Sequence, residues 1–178
     1  MDMSVRAGGM LRHPPCAQPP FTTVPENVLP ELRALEKTIE QGGPDLQARV
    51  VREVRVASGQ RFPIYAISMG NPDPHIPAVG FFGGVHGLER IGAEVVMAFL
   101  QNIVMRLRWD TTLHQQLEQV RLVFMPIVNP GGMWAATRAN PHGVDLMRNA
   151  PVEALDRVPW LMGGQRLSAG LPWYRGPF

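Results

Sequence analysis

Two residues of types that bind zinc, His86 and Glu89, lie three positions apart after a short apolar segment. That segment, residues 77–82, predicts a buried strand, and the residues after the next two glycines predict the start of a helix. A histidine at the strand's end and a glutamate in the first helical turn can point into the same space. They would supply two of the three protein ligands of a hydrolytic zinc site. The alternative is a helix N-terminal glutamate, favoured by the macrodipole, beside a loop histidine, and the spacing alone leaves both open.

A second group of polar residues follows the next predicted strand, residues 120–128. After the segment 129–132 (Asn-Pro-Gly-Gly), the chain carries Arg138, Asp145, Met147 and Arg148. Ligands of open α/β sheets lie beyond the carboxyl ends of the strands, where both of these loops begin. Arginine suits this position because its planar guanidinium can clamp a carboxylate or polarise a carbonyl. The alternatives are an Asp145–Arg148 pair across a turn and a solvent-exposed Arg138.

Composition restricts the classes of protein to which the chain can belong. Its 178 residues are 45% hydrophobic, enough for the core of one domain. The net charge of +2 comes from 17 basic and 15 acidic residues, and no basic run indicates nucleic acid as a partner. The single cysteine excludes an internal disulfide and a Cys-rich metal site. With no apolar stretch long enough to span a bilayer and no evident signal sequence, we expect no membrane partner and, by default, a cytoplasmic location.

The order of predicted elements indicates an α/β fold: a mixed, mostly parallel sheet flanked by helices. We expect residues 1–24 to be a loose Pro/Gly-rich arm and residues 25–178 to be one, partial, catalytic domain. The predicted helices cover residues 25–41, 89–107 and 110–118, and the predicted strands cover residues 50–56, 62–69, 79–82 and 120–128. The third strand should be buried on both faces and joined to the fourth by a βαβ crossover. Beyond residue 152 the regular pattern fades, so the chain looks like the N-terminal part of a longer domain.

Four segments together resemble the M14 family of zinc metallocarboxypeptidases. Residues 86–92 carry the His-Gly-x-Glu zinc signature followed by Ile-Gly, and residues 129–132 are similar to the family's Asn-Pro-Asp-Gly. Residues 143–149 are similar to Gly-Val-Asp-Leu-Asn-Arg-Asn, and residues 174–178 resemble the start of a later Tyr-x-Gly-x-x-Pro-Phe segment. The matches occur in family order and extend from about residue 50 to the end. The resemblance implies a zinc cofactor and a peptide substrate cleaved at its C-terminal bond.

The resemblance also implies a role for each matched residue. His86 and Glu89 would be the first two zinc ligands, and Arg138 would polarise the scissile carbonyl and stabilise the oxyanion. Arg148 would bind the terminal carboxylate of the substrate. Asp145 would support the loop or orient a ligating histidine.

The chain departs from the family pattern at two points. Met147 stands beside Arg148 where the family has an asparagine, and methionine cannot donate a hydrogen bond to a carboxylate. Three further residues of the family pattern would lie after residue 178: the third zinc ligand, the general-base glutamate and the capping tyrosine. We expect His13, His75 and His114 to be exposed and not to bind zinc. We therefore expect weak zinc binding, little turnover and an open sheet edge.

Two further hypotheses stay open at this stage. One is an N-acyl amino acid deacylase related to aspartoacylase and succinylglutamate desuccinylase, which shares the His-x-x-Glu element. The other is a non-catalytic fragment or binding domain that keeps the family's shape without its chemistry.

Overall fold

The computed structural model describes residues 29–149, 156, 158–159 and 162–177. The predicted arm, residues 1–24, and the first residues of the predicted first helix lie outside these ranges. The described helices and strands follow the chain in the order α1 (Pro30–Gly42), β1 (Gln47–Arg55), β2 (Arg61–Gly70), β3 (Ala78–Phe82), α2 (Arg90–Arg106), α3 (Thr111–Leu117), β4 (Arg121–Met125) and α4 (Pro130–Ala135).

The described strands form one mixed sheet in the order β1-β2-β4-β3. β2 pairs antiparallel with both β1 and β4, so β1, β4 and β3 all run in the same direction. β3 and β4 pair in parallel and are joined through α2 and α3, which confirms the predicted crossover. The carboxyl ends of β3 and β4 therefore lie at the same edge of the sheet, and the two candidate loops leave from this edge.

The core lies between the sheet and helices α1 and α2. The leucine spacing that predicted α1 is present in the fold, because Leu32, Leu35 and Ile39 are all buried. From the sheet, Ile67 and Phe124 are fully buried opposite them. None of the helices in the described ranges is long and apolar enough to cross a bilayer.

The prediction for β3 was wrong in one respect, the burial of both faces. Val79 is 44% exposed and Phe82 is 60% exposed. The physical reason is the position of β3 in the sheet: within the described residues it pairs only with β4 and forms an edge. An apolar sequence gives a strand the capacity for burial on both faces, but neighbours must supply the covering layers.

The other differences concern the ends of elements. β4 stops at Met125 rather than continuing to residue 128, because Pro126 follows and lacks the N–H needed for the ladder. The short helix α4 was not predicted. The described residues 162–177 form turns with a single bridge between Gln165 and Tyr174, in agreement with the predicted loss of regular pattern.

Candidate metal centre

Glycines allow the loop after β3 to pass close to neighbouring backbone. Gly83 and Gly84 are buried, and Gly84 has a φ of +59°, a conformation that other residues rarely adopt. A Cβ on Gly83 would lie 2.6 Å from the carbonyl oxygen of Gly92, and one on Gly87 would overlap the backbone of Gly132. The loop that carries His86 is therefore held against the beginnings of α2 and α4.

His86 and Glu89 face each other as their spacing predicted. His86 Nδ1 lies 3.1 Å from Glu89 Oε1, with the imidazole largely buried and the carboxylate about half exposed. Glu89 is the N-cap residue of α2, with φ −93° and ψ 68°, and not a member of the first helical turn as predicted. The backbone N–H of Glu89 donates to the His86 carbonyl, so a tight turn rather than a helix face brings the side chains together.

Asp145 connects the second loop to the first. Its side chain is 2% exposed, and Oδ1 lies 3.3 Å from His86 Nε2 and accepts the Met147 backbone N–H. Oδ2 accepts the Arg138 Nε–H at 2.8 Å. Burial alone raises the pKa of Asp145, but the hydrogen bond and charge of Arg138, with a smaller contribution from His86, outweigh it and lower the pKa. Asp145 therefore stays ionised and holds the imidazole, the guanidinium and its own loop together.

Arg138 completes this cluster. Besides donating to Asp145, its Nη1 lies 3.1 Å from Glu89 Oε1, so the guanidinium bridges two carboxylates. The alternative of a purely solvated Arg138 is wrong for this reason. The alternative of an Asp145–Arg148 side-chain pair is also wrong, because the Asp145 carboxylate pairs with Arg138 and His86 while Arg148 Nε donates to the Met162 carbonyl.

The remaining predicted site residues lie near the cluster but do not join it. Met147 is exposed, and Arg148 extends toward the segment around Met162. His75 and His114 are exposed, as expected, and so is His142. His114 Nε2 is within hydrogen-bond distance of the Leu107 carbonyl, 2.7 Å away.

Two bracing residues were not singled out from the sequence. Asn129 is buried at the N-cap of α4, where its side chain accepts the Gly132 N–H and donates to the Val85 carbonyl. Arg90 joins three elements by pairing with Glu31 of α1 and donating to the Met133 carbonyl of α4. The asparagine before a proline was a sequence signal for a helix N-cap, whereas nothing local indicated the partners of Arg90.

The donor set fits zinc in chemistry and in separation. Two ligand atoms with bonds of about 2.1 Å in a tetrahedral shell lie about 3.4 Å apart, close to the 3.1 Å between His86 Nδ1 and Glu89 Oε1. If Nε2–H donates to Asp145, Nδ1 keeps the lone pair that a metal needs, which is the usual arrangement of histidine ligands. Within the described residues, however, no group of three or more His, Cys, Asp or Glu side chains is placed to hold a metal.

Comparisons with known proteins identify a family to which the chain is similar. A family model described as Peptidase_M14, zinc carboxypeptidase, matches residues 46–166. Carboxypeptidase SOL1 of Arabidopsis thaliana is 32% identical over 93 residues, which are 51% of this chain and 19% of that protein. Carboxypeptidase E of Caenorhabditis elegans is 28% identical over 100 residues, or 49% of this chain and 21% of that protein.

Two solved structures share much of the fold. A metallo-carboxypeptidase of Burkholderia cenocepacia superposes with a TM-score of 0.52 at 18% identity, covering 65% of this chain and 30% of that one. Thrombin activatable fibrinolysis inhibitor superposes with a TM-score of 0.51 at 17% identity, covering 66% and 32%. The chain thus spans about a third of these structures and about a fifth of the two sequence relatives.

Proposed function

Because the chain belongs to the zinc carboxypeptidase family, Peptidase M14, we propose that it carries the zinc-binding part of a metallocarboxypeptidase active site. The observation that carries the proposal is the cluster of His86, Glu89, Arg138 and Asp145 at the carboxyl edge of the sheet. These residues come from two loops, and each pairs with at least two of the others. We propose His86 and Glu89 as zinc ligands.

Each of the other residues would have a distinct task. Asp145 would orient the His86 imidazole and keep its Nδ1 lone pair directed at the metal. Arg138 would direct N–H donors at the oxyanion that forms from the scissile carbonyl. When bound, zinc would activate a water molecule and polarise that carbonyl. Because Arg138 pairs with Glu89, zinc binding by Glu89 would have to compete with this ion pair.

We propose Arg148 as the group that binds the substrate's terminal carboxylate. Its Nε–H donates to the Met162 carbonyl, and an arginine side chain has five N–H donors in all. The exposed Met147 beside it cannot add a donor, so we expect weaker carboxylate recognition than a neighbouring asparagine would provide. Because of Met147, an N-acyl amino acid deacylase is a second candidate function. Parallel assays on a C-terminal peptide bond and on an N-acyl amino acid would distinguish a carboxypeptidase from a deacylase.

Two ligands are fewer than the three that catalytic zinc sites usually have. The described residues supply no third ligand in reach of His86 and Glu89. We therefore propose that His86 and Glu89 by themselves bind zinc weakly, and that turnover needs a third ligand and a general base from outside the described residues. A cytoplasmic location stays a prediction.

The test is zinc affinity of the folded, monodisperse protein, compared among wild type, His86→Ala, Glu89→Ala and His142→Ala. His142 is the matched control because it is an exposed histidine in the second loop. We expect the first two variants to lose zinc binding and the control to keep it. Equal affinities in all four proteins, with far-UV circular dichroism showing intact folds, would contradict the proposed site.

A further inference from the structure

A cavity lies at the edge of the sheet opposite the metal centre. Strands β1 and β4 begin at this edge and β2 ends there, so Gln47, Gly70 and Arg121 line the cavity from three adjacent strands. Its volume is about 670 Å³, and sites for small molecules typically have about 300–1,000 Å³. The length of β4, about 13 Å from Arg121 to Met125, separates the cavity from the metal centre. A ligand in this cavity would therefore leave the metal centre free.

Hydrogen bonds between two elements fix one wall of this cavity. The Asn71 backbone N–H donates to the Leu117 and Val120 carbonyls. The Asn71 side-chain amide donates to the Glu118 carbonyl. Gly70 permits this close approach, because its φ is +88° and a Cβ there would lie 2.3 Å from the Val120 carbonyl oxygen. The loop after β2 is therefore held against the end of α3, which gives this wall a fixed shape.

Arg121 gives the cavity a cation that has no acidic partner among the described residues. Its Nε–H is buried and has no hydrogen-bond acceptor within the same part of the chain. Its Nη1 lies 3.4 Å from the Pro72 carbonyl oxygen, which is longer than usual for a hydrogen bond. A buried donor without an acceptor is unfavourable, and a guanidinium is well suited to bind a carboxylate through two N–H groups. Arg121 therefore offers a place for the carboxylate of a ligand.

Two carboxylates also line the cavity. Asp45 precedes β1 and Glu118 follows α3, and both residues are exposed. Together with His114, which lines the cavity too, they do not form a group that could hold a metal ion within the described ranges. A metal ion would need several ligands at once, whereas an ammonium group can be bound by a single carboxylate acceptor. The two acidic residues therefore suit an organic amine better than a metal.

Buried apolar side chains complete the lining. They are Met69 of β2, Leu107 after α2 and Leu117 of α3. Small-molecule sites commonly combine such an apolar surface with a few polar groups that fix the orientation of the ligand. The cavity therefore offers three different surfaces, namely a cation, two carboxylates and an apolar wall.

We propose that this cavity binds a free α-amino acid with an apolar side chain. The ligand's carboxylate pairs with Arg121, its ammonium group with Asp45 or Glu118, and its side chain lies against the apolar wall. Both charges can be reached at once, because the backbones of β1 and β4 are two strand spacings, about 10 Å, apart. In the proposed function a free amino acid is the product of hydrolysis, so only the meaning of the ligand as a product rests on that function. The binding itself rests on the lining of the cavity.

The test is a titration of the full chain with L-leucine, followed by two-dimensional amide NMR. We expect saturable binding with a Kd of about 1 mM or below, and shifts of the Ser68, Gly70 and Asn71 amide signals but not of the His86 signal. Leucinamide lacks the carboxylate, N-acetyl-leucine lacks the ammonium group, and glycine lacks the apolar side chain. Each should bind more weakly than leucine by about 10-fold or more. These comparisons use the unaltered chain, so they do not depend on a variant that folds.

Substitutions test the two charged surfaces separately. Arg121→Met, and the double variant Asp45→Asn with Glu118→Gln, should each weaken leucine binding by about 10-fold or more. Arg52→Met is the matched control for the arginine, since Arg52 is exposed on β1 and is not among the residues that line the cavity. Glu94→Gln is the corresponding control for the carboxylates, because Glu94 is exposed on α2. Both controls should bind leucine as the unaltered chain does.

Several outcomes would overturn the proposal. They are the absence of saturable leucine binding, equal binding of leucine and leucinamide, and signal shifts centred on the loop of His86. Binding that is equally strong in Arg121→Met and Arg52→Met would overturn it as well. Zinc affinity separates this proposal from the proposed function. Leucine binding in a chain that binds no zinc supports the cavity and refutes the metal site, and zinc binding that depends on His86 without leucine binding does the reverse.

Discussion

Replacing Asp145 by asparagine tests whether this carboxylate holds the two loops together. Asparagine keeps the shape and can still accept the Met147 N–H, but it removes the negative charge that pairs with Arg138. A hydrogen bond to a charged group contributes about 1.5–3 kcal/mol, and removing one partner of a buried ion pair costs about 3–5 kcal/mol. Because Arg138 is partly exposed and keeps Glu89 as a partner, we expect a loss of about 2 kcal/mol.

The assay is urea unfolding of the metal-free protein at pH 7, followed by circular dichroism. With an m value of about 2 kcal/mol/M, the expected loss lowers the midpoint by about 1 M urea. Asp73→Asn is the matched control, because Asp73 is exposed and, within the described residues, its carboxylate accepts only the nearby backbone N–H of His75. This control should change the free energy of unfolding by less than about 0.5 kcal/mol.

A double-mutant cycle assigns the loss to the ion pair. If Arg138 is the partner that matters, Arg138→Met should cost about 1–2 kcal/mol less in the Asp145→Asn background than in wild type. Equal midpoints for Asp145→Asn and Asp73→Asn, or additive costs in the cycle, would refute the interpretation that this pair joins the loops.

Further predictions concern residues that brace the elements around the site. Arg90→Met leaves the Glu31 carboxylate without this ion-pair partner and should lower the free energy of unfolding in urea by about 2 kcal/mol. The double variant with Glu31→Gln should lose less than the sum of the two single variants, and additive losses would contradict the pairing. Asn129→Ala removes the buried N-cap of α4 and should cost about 2 kcal/mol; thermal unfolding measures it, and an unchanged midpoint would refute the role. A backbone N–H of α3 and then the Arg106 guanidinium lower the pKa of Asp110. The ionised carboxylate therefore stabilises the fold in full above the ordinary aspartate pKa, and this stabilisation is lost as the pH falls through the lower pKa of the folded state. Asp110→Asn should therefore flatten the dependence of the melting temperature on pH below about 4, and parallel curves for the two proteins would contradict this.

The elements were predictable where the signal is local. The spacing of apolar residues, together with the glycines and prolines that follow α1, indicated α2 within one residue of both ends and α1 within one residue of its C-terminal end. The unpredicted α4 shows the limit: its six residues include two glycines and a proline, which have poor helix propensity. It forms because Asn129 caps it and because its glycines leave room for neighbouring atoms, the Ala139 carbonyl at Gly132 and the Pro141 side chain at Gly131.

The proximity of His86 and Glu89 was predictable from the sequence, but their contacts with Arg138 and Asp145 were not. His86 and Glu89 are neighbours in the chain, so a turn brings them together whatever the rest of the fold does. Asp145 is 59 residues from His86, and its contact depends on β3 and β4 being adjacent and parallel. The sequence therefore offered two roles for Asp145, and the structure shows a residue placed to serve both, supporting its loop through Met147 and contacting His86.

The sequence by itself determined the types of the elements other than α4, the crossover and the motifs that indicate the zinc carboxypeptidase family, because these depend on local periodicity and on short segments. Tertiary structure alone decided that Asp145 and Arg138 pair, and that β3, with the composition of an interior strand, lies at an edge of the sheet formed by the described residues. The physical reason is that burial and ion pairing depend on contacts between elements that are distant in the sequence. A strand's own residues specify how it can be covered, and only the surrounding chain determines whether it is.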